Sequence, residues 1–189
     1  GTFERLGREY AQSPVAGNAA LERAQVMALQ GDKGGAANAL AAFATDPLAK
    51  SAVAPLAFVA RATLLREQNQ AQTAVGVMQD ARTRFEGALN GDPARRDWVH
   101  LLRYHHAVSL FESGKSPEAR GIFDQVVREA PQKPIGAEAG LRGGQCLIDE
   151  AKKKLADAEK AKGTAKVEQA KAADEAVARA KTGLVEAAK

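Results

Sequence analysis

The chain has a single cysteine, Cys146, in 189 residues. No internal disulfide is possible, so non-covalent packing has to hold the fold. Aromatic residues make up 5% of a chain that is 45% hydrophobic, which leaves alanine, leucine and valine as the bulk of any core. No run of about 18 apolar residues occurs, which excludes direct insertion of a helix from this segment into a membrane. No long stretch alternates apolar with polar residues, so strands are not expected. A dominant charge is lacking too: 27 basic against 23 acidic residues give a net +4. That near-balance is a poor footprint for nucleic acid. The basic run Lys152-Lys153-Lys154 has Asp149, Asp157 and Glu159 close by and reads as a solvated helix face with i,i+4 pairs. No aromatics interleave with it for base stacking.

Catalytic constellations are also missing. His100, His105 and His106 cluster, but separations of one, five and six splay their rings around a helix instead of stacking two ligands one turn apart. Asp97 and His100 are an i,i+3 pair, and two ligands do not make a zinc site. No Ser-His-Asp or Cys-His set is visible as a motif. Gly34-Gly35 and Gly143-Gly144 lack the strand-glycine-helix context of a phosphate loop. Cys146 lies among Leu141, Leu147 and Ile148 and reads as a small packed hydrophobe. The expectation is therefore no catalytic residue, no metal, no cofactor and no enzymatic activity.

What the chain does contain is a repeat. Three segments align on Ala24, Gly31, Ala36 and Leu40, on Ala62, Asn69, Ala74 and Met78, and on Ala107, Gly114, Ala119 and Phe123. In each, an alanine stands seven positions before the Gly or Asn, another stands five after it, and a large apolar residue follows four later. The first alanine lets two helices approach. The Gly or Asn takes the left-handed conformation that ends a helix. The second alanine sits at the crossing, and the bulky residue one turn on fills the gap beside it. Pro47 and Pro131 stop the first and third units. Pro14, Pro47, Pro93, Pro131 and Pro134 are expected between helices, whereas Pro55 and Pro117 suit first-turn positions.

This pattern resembles the tetratricopeptide repeat (TPR), whose helical hairpins recur about every 34 residues. Ala107, Gly114, Ala119, Phe123 and Pro131 fall on that family's small, turn, small, aromatic and terminating positions. The first repeat departs from it with Leu40 for the aromatic, the second with Asn69 for the turn glycine. Ala24, Ala62 and Ala107 are 38 and 45 residues apart, so helices or loops are lengthened, above all over 83–96. The segments Tyr10 to Pro14 and Phe43 to Pro47 are similar to a subtype found in bacterial envelope proteins, among them the outer-membrane assembly lipoprotein and the Tol-Pal accessory protein. That likeness favours a bacterial envelope or periplasm over cytoplasm, and the Ala, Gly and Arg usage points to a GC-rich bacterial source.

The resemblance implies an all-α, TPR-like α-solenoid of antiparallel hairpins. Residues 1–14 read as the tail helix of a preceding repeat, 15–134 as three hairpins, and 135–189 as a fourth, elongated Ala/Lys-rich hairpin. In that last hairpin a first helix runs from about Gly136 to about Lys162, and the turn is Gly163-Thr164. Val167, Ala170, Ala173, Val177, Ala180, Leu184 and Ala187 then form the seam. A start inside a repeat and an end in mid-helix suggest a piece of a larger protein.

The resemblance also implies that first helices line a groove for a protein or peptide partner. The equivalent inner positions include Gln25, Thr63, Arg66, Tyr104 and Gln145, with Tyr104 and Arg66 the expected anchors because aromatics and arginine dominate hot spots. The alternative for Tyr104 and Phe111 is packing against the next repeat. The family's carboxylate clamp of Lys and Asn is absent, because Leu21, Gln25, Val59, Thr63, Tyr104 and Val108 hold those positions. Trp98 is expected to staple the third hairpin to the second. The favoured function is a non-catalytic interaction scaffold. The alternative is a structural spacer or self-assembly module, with an enzyme accessory role further behind.

Overall fold

The computed structural model describes residues 15–161 and 164–187. The expected tail helix over 1–14 and the turn residue Gly163 lie outside the described residues. Among the described residues every regular element is helical: α1 (Ala16–Leu29), α2 (Lys33–Leu40), α3 (Ala54–Glu67), α4 (Ala71–Asn90), α5 (Asp97–Glu112), α6 (Ser116–Glu129), α7 (Pro134–Lys160) and α8 (Thr164–Ala187). Two short 3-10 helices, Ala41–Ala44 and Leu48–Lys50, join α2 to α3. The chain divides into two compact units, Gly1–Ser109 and Leu110–Lys189, with the division inside α5.

The three turn residues read from the sequence are the left-handed ones. Gly31, Asn69 and Gly114 have φ of 93°, 59° and 85°. Each turn closes with the same pair of bonds. The turn residue's N–H reaches back three residues, to Ala28, Arg66 or Phe111. The next N–H reaches back five, to Met27, Leu65 or Leu110. This is the Schellman arrangement, which satisfies carbonyls that the helix end leaves open. After the first turn Asp32 caps α2, its Oδ1 accepting from the Gly35 N–H at 2.7 Å.

The repeat positions are the core. Ala24, Ala62 and Ala107 are 0% exposed, as are Ala36, Ala74 and Ala119. Leu40, Met78 and Phe123, one helical turn beyond the second set, are also buried. Those of the first two repeats join Phe43, Phe58, Leu65, Val99 and Leu102 in one cluster. Phe58 meets Phe85 edge to face at 5.5 Å. Trp98 packs half-buried against the same cluster with Arg95 over its ring, which is the stapling role expected of it. The long spacing before the third repeat is taken up by α4, which continues for 20 residues.

In the second unit α7 begins at Pro134, which therefore occupies a first-turn position, not the linker expected of it. α7 and α8 form the elongated hairpin, and Thr164, expected in the turn, opens α8. The seam is alanine: Ala151 and Ala158 from α7, Ala173, Ala176 and Ala180 from α8. The expected register holds at Ala173 and Ala180 and fails nearer the turn, where Val167 is 73% exposed and Ala170 is exposed. Ala176 is buried in their place. The side chains of Leu184 and Ala187 lie outside the described residues.

Candidate functional site

The first unit carries an apolar cleft of about 500 Å³ between α1, α2 and α3. Alanines make it. Ala24 and Ala28 on α1 and Ala60 on α3 let the helices approach yet fill little of the space between them. Leu40 and Leu64 also line it. At the mouth Leu29, the last residue of α1, is 88% exposed beside the apolar hollow. The rim is polar. Gln25 is exposed, Thr63 is half-buried, and Lys33 pairs with Glu67 at 2.8 Å. That pair is nearly half exposed on both sides and adds little stability.

Gln25 and Thr63, two of the expected groove residues, thus line one cleft. Arg66, the third, has a different occupation. Its Nη1 donates to Ser109 Oγ at 3.2 Å, and its Nη2 donates to Thr63 Oγ1 at 3.2 Å and lies 3.4 Å from His105 Nδ1. Arginine can only donate, so His105 Nδ1 accepts and the ring proton sits on Nε2. Arg66 therefore ties α3 to α5. Burial, and then the nearby Arg66 charge, push the His105 pKa down to about 4, so the ring is neutral at ordinary pH. Ser109, fully buried, donates its own hydroxyl proton to the His105 carbonyl at 2.8 Å. Tyr104, the expected partner of Arg66, is half-buried and stands edge-on to the His105 ring at 5.3 Å.

Gln145, in the second unit, accepts from Arg142 Nη1 at 3.1 Å, while Arg142 Nε donates to Glu138. Nearby on α7, Asp149 fixes the third turn. It accepts a hydrogen bond from the buried Ser116 hydroxyl and pairs with Lys153 at 2.8 Å. Lys153 in turn donates to the Gly114 carbonyl at 3.1 Å. The bonds from Lys153 and Ser116 hold the Asp149 carboxyl below its ordinary range.

His105 and His106 serve as acceptors for arginine. His106 Nδ1 takes a bond from Arg82 Nη1 at 2.9 Å. Arg82 and Arg103 both engage Glu86, at 2.5 and 3.2 Å, which ties α4 to α5. Among the described residues no three His, Cys, Asp or Glu side chains converge as metal ligands do. Cys146 is fully buried, and burial, reinforced by the charges of Glu150, Asp149 and Asp124, pushes its thiol up to about 12. It packs as a small hydrophobe and carries no reactive thiolate.

Sequence reasoning missed Ala28, Leu40, Ala60 and Leu64 as cleft walls and His105 and Ser109 as the seat of Arg66. The i,i+4 spacing of His105 and Ser109 put them on one face of α5, but no local signal says that the face meets α3.

The fold has solved counterparts. A chain from Podosopora anserina, described as the nearly identical TPR-like repeats of a protein assigned as a kinesin light chain, superposes with a TM-score of 0.60 at 16% identity. The match covers 91% of this chain and 83% of that one. A substituted form of the same repeats superposes with a TM-score of 0.60 at 14% identity, over 97% and 84%. This is an all-α, TPR-like solenoid fold. At such low identity the likeness concerns the fold alone. No family model and no curated protein matches the sequence.

Proposed function

We propose that the chain is a non-catalytic interaction scaffold whose α1–α3 cleft receives an apolar side chain from a peptide or protein segment. The observation that carries this reading is the cleft itself: about 500 Å³, apolar within, polar at the rim, with Leu29 exposed at its mouth. The lining suits an apolar anchoring side chain, and the volume leaves room for neighbouring parts of the same segment. Thr63 is prepared for one such contact. Its oxygen accepts from Arg66, which leaves its hydroxyl proton to be donated to a partner. Gln25 offers both a donor and an acceptor.

Tyr104 extends the proposed groove along α5 of the same unit, and Gln145 is a separate candidate contact in the second unit. Arg66 contributes by holding Thr63. Arg66→Ala is therefore expected to loosen α3 from α5 as well as to weaken binding. Leu29→Asp is the cleaner probe, because that side chain is already in water.

The experiment is selection of random displayed peptides on the intact chain. The proposal expects a shared apolar anchor and loss of binding in Leu29→Asp. Selected peptides that bind wild type and Leu29→Asp equally would refute the cleft. The Phe43 to Pro47 likeness supports a bacterial envelope setting. A structural or self-assembly role has its own support in Leu155, Val167 and Val185, which are 42%, 73% and 58% exposed on α7 and α8. Light scattering over a concentration series tests it, and a monomer throughout counts against self-assembly.

A further inference from the structure

A second cavity, of about 390 Å³, lies wholly within the second unit among α6, α7 and α8. Its chemistry differs from that of the cleft. α6 contributes Arg120, Asp124, Val127 and Arg128, which share one helix face at i, i+4, i+7 and i+8. α7 contributes Gly140 and Gly144, one turn apart, and Leu147, while α8 adds Gly183.

The charges do not cancel. Among the described lining residues Asp124 is the single acidic one, and it holds Arg120 loosely, at 3.7 Å. Arg128 is exposed and makes no ion pair or hydrogen bond among the described residues. A glycine inside a helix costs about 1 kcal/mol against alanine. Gly183 is explained by packing, since a Cβ there would lie 2.5 Å from Leu147 Cδ1. Gly140 and Gly144 also line the cavity. Leu147 and Val127 supply an apolar patch at the same wall.

We propose that this cavity binds a small organic anion, a carboxylate or phosphate carried on a compact apolar body. Arg120 and Arg128 hold the charged group with charge-assisted bonds. The body lies on Leu147 and Val127. On binding, Arg120 exchanges its long contact with Asp124 for the ligand. The site is independent of the α1–α3 cleft and stands or falls separately.

The test is titration of the intact chain with phenyl phosphate, followed by amide chemical shifts, with inorganic phosphate alongside. The proposal expects saturable shifts at Gly140, Gly144 and Gly183, and tighter binding of phenyl phosphate than of inorganic phosphate. The double variant Arg120→Gln/Arg128→Gln is expected to bind at least about tenfold more weakly. Arg128→Gln alone should weaken binding with the melting temperature unchanged, because that side chain is exposed, which separates the site from a folding effect. Shifts that never saturate, shifts spread over surface lysines, or affinity unchanged in both variants would overturn the proposal.

Discussion

The hairpins of the first unit and the terminal hairpin of α7 and α8 are built from the same kind of element and packed in opposite ways. In the first unit bulky residues share one cluster with the alanines: Leu40 and Phe43 with Ala36, Met78 with Ala74. Left-handed residues at Gly31 and Asn69 fix where each hairpin turns. The α7–α8 seam is mostly alanine, at Ala151, Ala158, Ala173, Ala176 and Ala180, with Leu147 set against Gly183, while Leu155, Val167 and Val185 are exposed. Buried apolar area sets the stabilisation, at about 25 cal/mol per Å², so a seam of methyl groups contributes far less than one of Phe, Leu and Met. It also specifies register less sharply, because one alanine fits another's place.

The largest test of this contrast is a pair of truncations read by urea denaturation. Phe43→Ala, at a fully buried site, should lower stability by about 3–5 kcal/mol. Ala180→Gly in the seam should cost only about 1 kcal/mol. Hydrogen exchange adds a local view, and amides of α8 should exchange faster than those of α4. Equal protection would contradict the contrast.

Acid should reach the first unit through His105. Its folded pKa of about 4 lies below the ordinary 6.5, so the unfolded chain binds the proton more readily. The sign follows: the contribution is complete above pH 6.5, falls as the pH drops towards 4, and is gone below it. The total is about 3 kcal/mol. Melting temperature against pH checks this, and His105→Gln should flatten the profile over that range. Asp149 acts in the same direction only at lower pH, below the ordinary carboxylate range.

Glycines sharpen the comparison further. Gly31 and Gly114 have positive φ and nothing near a built Cβ, so alanine there meets only torsional strain. Each substitution should cost about 1–2 kcal/mol. Gly76, inside α4 with equally open space, should gain up to about 1 kcal/mol on the same change. Thermal denaturation of the three variants decides whether φ, and not space, explains the turn glycines.

The smallest expected effect on stability is also the most telling for function. Leu29→Asp should stay within about 0.5 kcal/mol of wild type, because the side chain is 88% exposed, while peptide binding at the cleft is lost.

The same contrast explains what could be read in advance. Hairpins with a turn residue, two alanines and a bulky residue were legible down to Gly31, Asn69 and Gly114, because backbone conformation and side-chain volume are local properties. The α8 seam was legible at Ala173 and Ala180 and not at Val167 or Ala170, because an alanine-rich helix offers several nearly equal faces. The cleft was half legible. Gln25 and Thr63 follow from position on the first helices, whereas the capture of Arg66 by His105 and Ser109 depends on which face of α5 meets α3. Helix spacing alone carries no information about that choice.

The central claim is that the α1–α3 cleft is where a partner docks. The most direct measurement places a photo-crosslinking residue at Gln25, on the cleft rim, and at Gln79, on α4, and compares what each captures in native lysate. The account predicts a discrete product from position 25 that Leu29→Asp abolishes, and none from position 79. Capture from position 79 alone, or a product at position 25 that survives Leu29→Asp, would contradict it.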